Sequence, residues 1–283
     1  TEMLRGAVPR RHSSSTATQR THVQVIPANG FPSATYAPLL RRLESEAVSV
    51  SGCDYHDLNT TDLQRCAAKV AAHAKTAREE RVVALGHSLG GVLAWLAARD
   101  ANVFDDVLIY DAPMFSPLSR AVLLAAQTTG LIEAWPTLRK WRSRPEAFAS
   151  RADAEAYVRG KSFYASLHPE VLDAFVDCGI DDEGRFRYSP ALEAQFFRDT
   201  PAEIFLSPRV GLYDAEHQNS GVFWYSSRHE FVSSRDVRWL SDRFPTWSFV
   251  AVDAGHFAPL QDPDAFATRV LDALRRSPAD KNE

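Results

Sequence analysis

The sequence predicts an α/β fold in which a mostly parallel central sheet is flanked by helices and interrupted by an inserted helical cap. Over residues 22–113, short apolar runs alternate with helical patterns, as they do where parallel strands are joined by helices. From residue 114 to about 200 only helical patterns follow, and the alternation returns at residue 221. We therefore predict one α/β core formed by residues 22–113 and 201–283, with residues 114–200 inserted as the cap.

Each element of the first half is predicted from the spacing of its apolar residues. The first strand alternates through Val23, Val25 and Ile26, as a half-buried strand does. The later run 82–85 is apolar throughout, which is typical of a strand that is buried on both faces. The predicted strands are 22–27, 47–51, 81–85 and 106–110, and the predicted helices lie at 36–43, 61–80 and 92–99.

The second half contains the helical segment and the last two strands. Residues 120–131 are apolar and helix-forming, and two short helices are predicted within 151–178. The apolar side chains of this segment, among them Leu118, Leu131 and Trp135, could either roof a pocket or form the core of the cap. The remaining predicted strands are 221–226 and 248–252, and the remaining helices are 234–243 and 264–275.

The composition is that of an ordinary globular protein. Of the 283 residues, 45% are hydrophobic and 24% are charged, so the chain can bury a core without disulfides or metals. The net charge of −4 offers no overall basic field to nucleic acid or to an anionic membrane. No run approaches the roughly 18 apolar residues of a membrane-spanning helix, so we expect none.

The cysteines and the N-terminus bear on the compartment. Cys53, Cys66 and Cys178 are distant and odd in number, which is neither a disulfide framework nor a zinc pattern. A reducing, cytoplasmic location is therefore expected. Residues 1–21 are rich in Arg and Ser and poor in acids, so they form either a solvated arm or a transit segment that would imply a mitochondrial location. The acidic and histidine side chains of 54–57 lack a complete ligand set, and we predict no metal.

A Gly-x-Ser-x-Gly motif lies between a predicted strand and a predicted helix. It reads Gly86-His87-Ser88-Leu89-Gly90, and small residues on both sides of the serine let strand and helix approach at a strained turn. We predict that Ser88 is a nucleophile. The Leu89 N–H, at the helix N-terminus, should face a developing oxyanion, whereas the His87 side chain should point away from the site.

A serine nucleophile needs a base, and His256 is the candidate because it follows the last predicted strand. The acid that orients this histidine is predicted to be Asp111, which ends the strand before the cap. Asp111 also has a simpler interpretation as a turn-former before Pro113. Glu230 is the alternative acid, because the segment after the cap contains no aspartate at the expected place.

The loop after the first strand is predicted to supply a second oxyanion donor. Gly30 permits an unusual backbone angle there, and the Phe31 N–H is the predicted donor. Phe115 and Phe257 are the predicted substrate-binding side chains.

Together these motifs resemble the α/β-hydrolase superfamily over about residues 22–275. More narrowly, the chain resembles small hydrolases whose first loop reads A-N-G-F-P in place of H-G-x-P, and some esterases of the superfamily place the acid after the pre-cap strand. The resemblance implies the α/β-hydrolase fold, esterase-like hydrolysis and no cofactor. The matching segments are A-N-G-F-P at 28–32, G-H-S-L-G-G at 86–91, D-A-P at 111–113 and G-H-F-A-P-L-Q-D-P at 255–263.

We therefore predict a serine hydrolase that cleaves a carboxylic ester, or a related acyl bond, of a small or acyl-chain substrate through an acyl-enzyme. Thioesterases, lactonases and C–C bond hydrolases use the same set of residues and stay open as alternatives. A non-catalytic binding module of the same fold is an alternative from a different class. The expected partner is a small molecule and not a nucleic acid.

Overall fold

A computed structural model describes residues 20–74, 81–206 and 220–275 of the chain. The possible transit segment predicted at 1–21 lies almost entirely outside these residues. The described strands are β1 (Thr21–Ile26), β2 (Val48–Gly52), β3 (Arg81–His87), β4 (Asp106–Tyr110), β5 (Ser220–Ser226) and β6 (Trp247–Val252). They form one sheet in the order β2-β1-β3-β4-β5-β6, and every neighbouring pair is parallel.

The predicted α/β fold is confirmed, and each predicted strand end lies within two residues of the observed one. Strand β3 shows why the strand positions could be predicted from the sequence. Val82 and Ala84 pack into the core on one face of the sheet, while Val83 and Leu85 pack into the core on the other. A strand with both faces buried has no polar alternation, so it appears in the sequence as an unbroken apolar run.

Helices cover both faces of the sheet. The described helices of the two α/β parts are α1 (Ala37–Leu43), α2 (Leu63–Ala74), α3 (Leu89–Ala101), α10 (Ser234–Arg243), α11 (Ala258–Gln261) and α12 (Pro263–Arg275). Helices α2, α3 and α10 pack on one face, whereas α1 and α12 pack on the other. Short 3₁₀ turns at Ser33–Tyr36 and Tyr55–Leu58 follow β1 and β2. The last six positions of the helix predicted at 61–80 lie outside the described residues.

The segment between β4 and β5 is helical in its described part. The helices are α4 (Pro117–Thr128), α5 (Pro136–Arg142), α6 (Arg151–Gly160), α7 (Ser162–Ala165), α8 (Pro169–Gly179) and α9 (Pro190–Leu206), with a 3₁₀ turn at Leu131–Ala134. Helices α4 and α5 and the 3₁₀ turn between them pack toward α9 through a small apolar core that includes Ile132, Leu138 and Ala194. Helix α8 packs against α1 and the 3₁₀ turn after β1.

Several apolar side chains of this segment are at the surface. Leu118, Leu131 and Trp135 are exposed, so neither the predicted pocket roof nor the predicted cap core accounts for them. Helix α4 contains no buried residue, although it is mostly apolar. Apolar content predicted a helix here correctly, but it could not tell which face would find a partner.

Because all six strands are parallel, their carboxyl ends meet along one edge of the sheet. The loops that leave β1, β3, β4, β5 and β6 at this edge carry the residues of the candidate site. None of the described helices combines the length and the apolar character needed to cross a bilayer.

Candidate active site

Ser88 occupies the sharp turn between β3 and α3. Its backbone angles are φ 56° and ψ −126°, in a region that a residue with a side chain rarely adopts. The flanking glycines make the turn possible. A Cβ on Gly90 would lie 2.2 Å from the carbonyl oxygen of Ile26, and one on Gly86 would lie 2.4 Å from the Cα of Gly91. The helix therefore starts in direct backbone contact with β1 and β3, which fixes the direction of the Ser88 side chain.

The His256 ring lies between Ser88 and Asp111. Its Nε2 is 3.1 Å from Ser88 Oγ, and its Nδ1 is 2.6 Å from Asp111 Oδ2. A neutral ring with the proton on Nδ1 donates to the carboxylate and accepts from the serine hydroxyl. The three side chains singled out in the sequence therefore form one directed series of hydrogen bonds.

Asp111 is fully buried directly after β4. Its backbone has φ 46°, and its N–H donates to the Trp224 carbonyl at 2.8 Å. Its Oδ1 accepts from the backbone N–H of Ser226 at 3.2 Å, while Oδ2 faces His256. An aspartate that only forms a turn bonds to the backbone next to it, so that role does not require this burial.

Glu230, the alternative acid, also contacts His256, but at a different atom. Its Oε2 accepts from the His256 backbone N–H at 2.5 Å. The Glu230 carboxylate therefore holds the loop that carries the histidine, and the ring nitrogen is held by Asp111.

Although the sequence predicts that His87 points away from the site, its ring centroid lies only 5.1 Å from that of His256, and the ring takes part in a buried polar chain. The Ala28 N–H donates to the Tyr36 hydroxyl at 3.0 Å, and this hydroxyl lies 2.6 Å from His87 Nδ1. His87 Nε2 lies 2.8 Å from the His256 carbonyl oxygen. Burial lowers the pKa of His87 well below its usual value and raises that of Tyr36. The neutral ring therefore accepts from Tyr36 and donates to His256, which ties the loop after β1 to the histidine loop.

No pattern in the sequence predicts this buried series of hydrogen bonds. In the sequence, Tyr36 is one apolar position of a helical stripe. Its hydroxyl acquires a partner only where three segments meet: the loop after β1, the sharp β3–α3 turn that carries Ser88 (the elbow), and the loop that carries His256.

The two predicted oxyanion donors follow the neighbouring strands β1 and β3. Leu89 is the first residue of α3, so its N–H has no acceptor inside the helix. The Phe31 N–H donates to the Ala28 carbonyl at 3.2 Å in a turn that includes Gly30 at φ 82°. The Phe31 N–H is therefore already engaged by a long hydrogen bond, which it would have to share in order to act as the predicted oxyanion donor. The Gly30 N–H donates to Nε2 of the buried His56 at 3.1 Å.

A buried ion pair covers the same loop. Arg144 Nη2 lies 2.5 Å from Glu193 Oε1, and the Glu193 carboxylate fills the space that a Cβ on Gly30 would need. The Glu193 carbonyl accepts from Asn29 Nδ2 at 2.9 Å. Burial raises the pKa of Glu193. These contacts connect the helical segment to the loop after β1, and sequence spacing did not predict them because 164 positions separate Asn29 from Glu193.

Aromatic rings lie beside the series of hydrogen bonds. The Phe257 ring centroid is 4.8 Å from that of His256 and 4.8 Å from that of Phe163, which comes from the helical segment. The Phe31 ring lies 6.0 Å from that of Phe257. Of the two predicted substrate-binding residues, Phe257 is thus next to the site. Phe115 lies in the loop before α4, where its carbonyl accepts from an arginine of that helix.

A parallel sheet with this elbow, and with an acid and a histidine following it in chain order, is the arrangement of the α/β hydrolases. A model of the alpha/beta hydrolase family matches residues 25–269, and the chain belongs to that family. No curated protein sequence matches it significantly.

Solved structures confirm the fold. The peroxisomal α/β-hydrolase Lpx1 from Saccharomyces cerevisiae is 14% identical with a TM-score of 0.66, over 90% of this chain and 77% of that one. E-2-(acetamidomethylene)succinate hydrolase is 18% identical with a TM-score of 0.65, over 91% and 92%. The thioesterase domain from the curacin biosynthetic pathway is 14% identical with a TM-score of 0.63, over 90% and 92%. At these identities the likeness extends to the fold alone.

Proposed function

We propose that the protein is a serine hydrolase that cleaves a carboxylic ester, or a related acyl bond, through an acyl-enzyme. The observation that carries this proposal is the series of hydrogen bonds from Ser88 through His256 to the buried Asp111. A serine hydroxyl is a weak nucleophile at neutral pH unless a base accepts its proton. The 3.1 Å between Ser88 Oγ and His256 Nε2 is within hydrogen-bond reach for that transfer.

In the first step, Ser88 Oγ attacks the substrate carbonyl carbon while its proton passes to His256 Nε2. The imidazolium that forms is stabilised by the Asp111 carboxylate, which stays ionised. His256 then donates the same proton to the leaving alcohol, and the acyl group remains on Ser88. A water molecule repeats the sequence on the acyl-enzyme, which releases the acid and restores the serine.

The oxyanion of each tetrahedral intermediate would be held by the Leu89 and Phe31 amides. Leu89 meets this role directly, because its N–H opens a helix. The Phe31 N–H would share its long bond to the Ala28 carbonyl with the stronger, negatively charged acceptor. Removing one such donor typically costs about 3 kcal/mol of transition-state stabilisation.

Helices α4–α9 would act as a cap over this site. Phe163 of α7 contacts Phe257 next to His256, so an apolar acyl group bound there would lie between core and cap. Of the two candidate substrate-contacting residues, Phe257 is favoured over Phe115 by this geometry. Thioesters stay open as alternative substrates, because a thioesterase domain shares this fold and the same residues of this chain would act in the same roles.

A fluorophosphonate probe tests the nucleophile. We expect the wild-type protein to be labelled and Ser88→Ala to lose all labelling, because the probe requires an activated serine. Ser45→Ala, at an exposed serine before the start of β2 and therefore at the opposite edge of the parallel sheet, is the matched control and should label fully. Labelling that persists in Ser88→Ala would place the nucleophile elsewhere, and a folded wild-type protein that never labels would support the non-catalytic module.

A substrate panel separates the alternatives within the enzyme class. Turnover by the wild-type protein is compared for esters, thioesters and lactones of increasing acyl length, with Ser88→Ala as the blank. The ester proposal predicts that esters give the highest kcat/KM. A clear preference for thioesters or lactones would keep the mechanism and change the substrate class.

A further inference from the structure

Helix α4 presents an apolar face to solvent. Leu118, Ala121, Val122 and Ala125 recur at the spacing of one helical face, and all four are exposed. Arg120 is the only charged residue of the helix. A helix that is apolar around most of its surface is normally buried, whereas no described residue of this chain covers this face.

The same face continues beyond the helix. The 3₁₀ turn that follows packs against α4, and it carries Leu131 outward, with Trp135 four residues further on. The exposed fractions are large for apolar side chains: 54% for Leu118, 58% for Val122, 68% for Leu131 and 41% for Trp135. The exposed apolar face is defined by Leu118, Ala121, Val122, Ala125, Leu131 and Trp135.

This face lies in a basic part of a chain that is acidic as a whole. Residues 114–144 contain five Arg and Lys side chains against one acid, Glu133, a formal charge of +4, whereas the whole chain carries −4. Two of the five basic side chains are in ion pairs, Arg142 with Glu133 and Arg144 with the buried Glu193. Arg139 is exposed and follows Trp135 by one helical turn, and the exposed Lys140 is next to it. The overall net charge argued against an anionic membrane, but it averages over this local excess.

We propose that the exposed apolar face and the adjoining basic side chains of α5 bind the surface of an anionic lipid bilayer. Apolar side chains, a Trp and neighbouring Arg and Lys residues are the combination that places a helix in the bilayer interface. The apolar residues enter the boundary between headgroups and acyl chains, and the basic residues attract the negative headgroups. This contact is peripheral and is made by helix faces, not by a spanning segment.

The charge pattern favours lipid over a second copy of the chain. Two copies that met through this face would bring the same basic side chains together, which is unfavourable. An anionic bilayer offers both apolar acyl chains and negatively charged headgroups. The proposal does not depend on the chemistry of Ser88, because binding is measured without turnover.

Vesicle flotation tests the apolar part of the proposal. Full-length protein is mixed with vesicles of phosphatidylcholine alone or of phosphatidylcholine with phosphatidylglycerol. We expect flotation with the anionic vesicles and at least ten-fold weaker binding for the double variant Val122→Gln with Leu131→Gln. Ala152→Gln with Ala156→Gln, at exposed positions of α6, is the matched control and should bind as the wild type does.

The same vesicles test the charged part. Arg139→Gln should weaken binding by about five-fold, the effect of one basic residue near an anionic surface, and added salt should weaken it further. Arg65→Gln, at an exposed arginine of α2, should leave binding unchanged. Trp135 should give a blue-shifted fluorescence with anionic vesicles that is absent in Trp135→Phe.

Three results would overturn the proposal. The first is no flotation with either vesicle, and the second is equal binding of the wild type and the Val122→Gln with Leu131→Gln variant. The third is concentration-dependent dimerisation in sedimentation velocity that the double variant abolishes, because the face would then be an interface between copies.

Discussion

Two carboxylates contact His256, and they contact different parts of it. Asp111 Oδ2 faces the ring Nδ1, whereas Glu230 Oε2 accepts from the backbone N–H. Only the first contact changes when the ring gains a proton, because the charge of an imidazolium lies on the ring. The two residues should therefore differ in their effect on hydrolysis, although both are next to the same histidine.

Exchanging each carboxylate for its amide measures this difference. We expect Asp111→Asn to lower kcat for p-nitrophenyl acetate by about 10³–10⁴-fold, since an amide selects the wrong ring tautomer and cannot stabilise the imidazolium. Glu230→Gln should lower it by less than about ten-fold, because the amide oxygen still accepts from the His256 N–H. Both variants are compared at equal concentration of folded protein. The reverse order would make Glu230 the acid and Asp111 a structural residue.

At the scale of elements, the elbow depends on how closely α3 approaches β1. A Cβ on Gly90 would lie 2.2 Å from the Ile26 carbonyl oxygen and 2.4 Å from that of Pro27. Both atoms belong to the backbone, so they cannot move aside as a side chain could. The glycine is needed for packing, independently of any chemistry at Ser88.

Gly90→Ala should therefore lower the free energy of unfolding by about 2–3 kcal/mol, the upper part of the range for overpacked sites. The measurement is urea denaturation followed by circular dichroism. Gly160→Ala is the matched control, because nothing lies within 4 Å of a Cβ at the end of α6, and it should be neutral or slightly stabilising. Equal stability of Gly90→Ala and wild type would mean that the elbow has more room than this geometry allows.

The elements also show which information the sequence carries. The strands were predictable to within two residues because a parallel strand leaves a short apolar run. The meeting of Ser88, His256 and Asp111 was predictable because strand order places their loops at one edge of the sheet. The series of hydrogen bonds through Tyr36 and His87 was not predictable, because it depends on side-chain directions where three loops meet. The exposure of α4 was not predictable either, because apolar content does not say which partner covers it.

At the scale of the whole molecule, two buried histidines link stability to pH. Burial lowers the pKa of His56 to about 3, and it also lowers the pKa of His87. His56 Nε2 accepts from the Gly30 N–H, so a proton there would remove an acceptor from a buried donor. In the unfolded chain both histidines take up a proton near pH 6.5. The unfolded state therefore binds more protons than the folded state below that pH.

The sign of the effect follows from this difference. Stability is fully present above about pH 6.5 and is lost as the pH falls from there toward the folded pKa of His56, about 3. One histidine contributes a slope of about 1.4 kcal/mol per pH unit within that window.

His56→Gln keeps an acceptor for the Gly30 N–H but cannot be protonated. Its free energy of unfolding, from urea denaturation at a series of pH values, should fall less steeply than that of the wild type by about this slope between pH 6 and pH 4. Above pH 7 the two curves should run parallel, whatever constant offset the substitution introduces. Parallel curves below pH 6 as well would mean that folded His56 takes up its proton as readily as the unfolded chain does, and burial would then not control its charge.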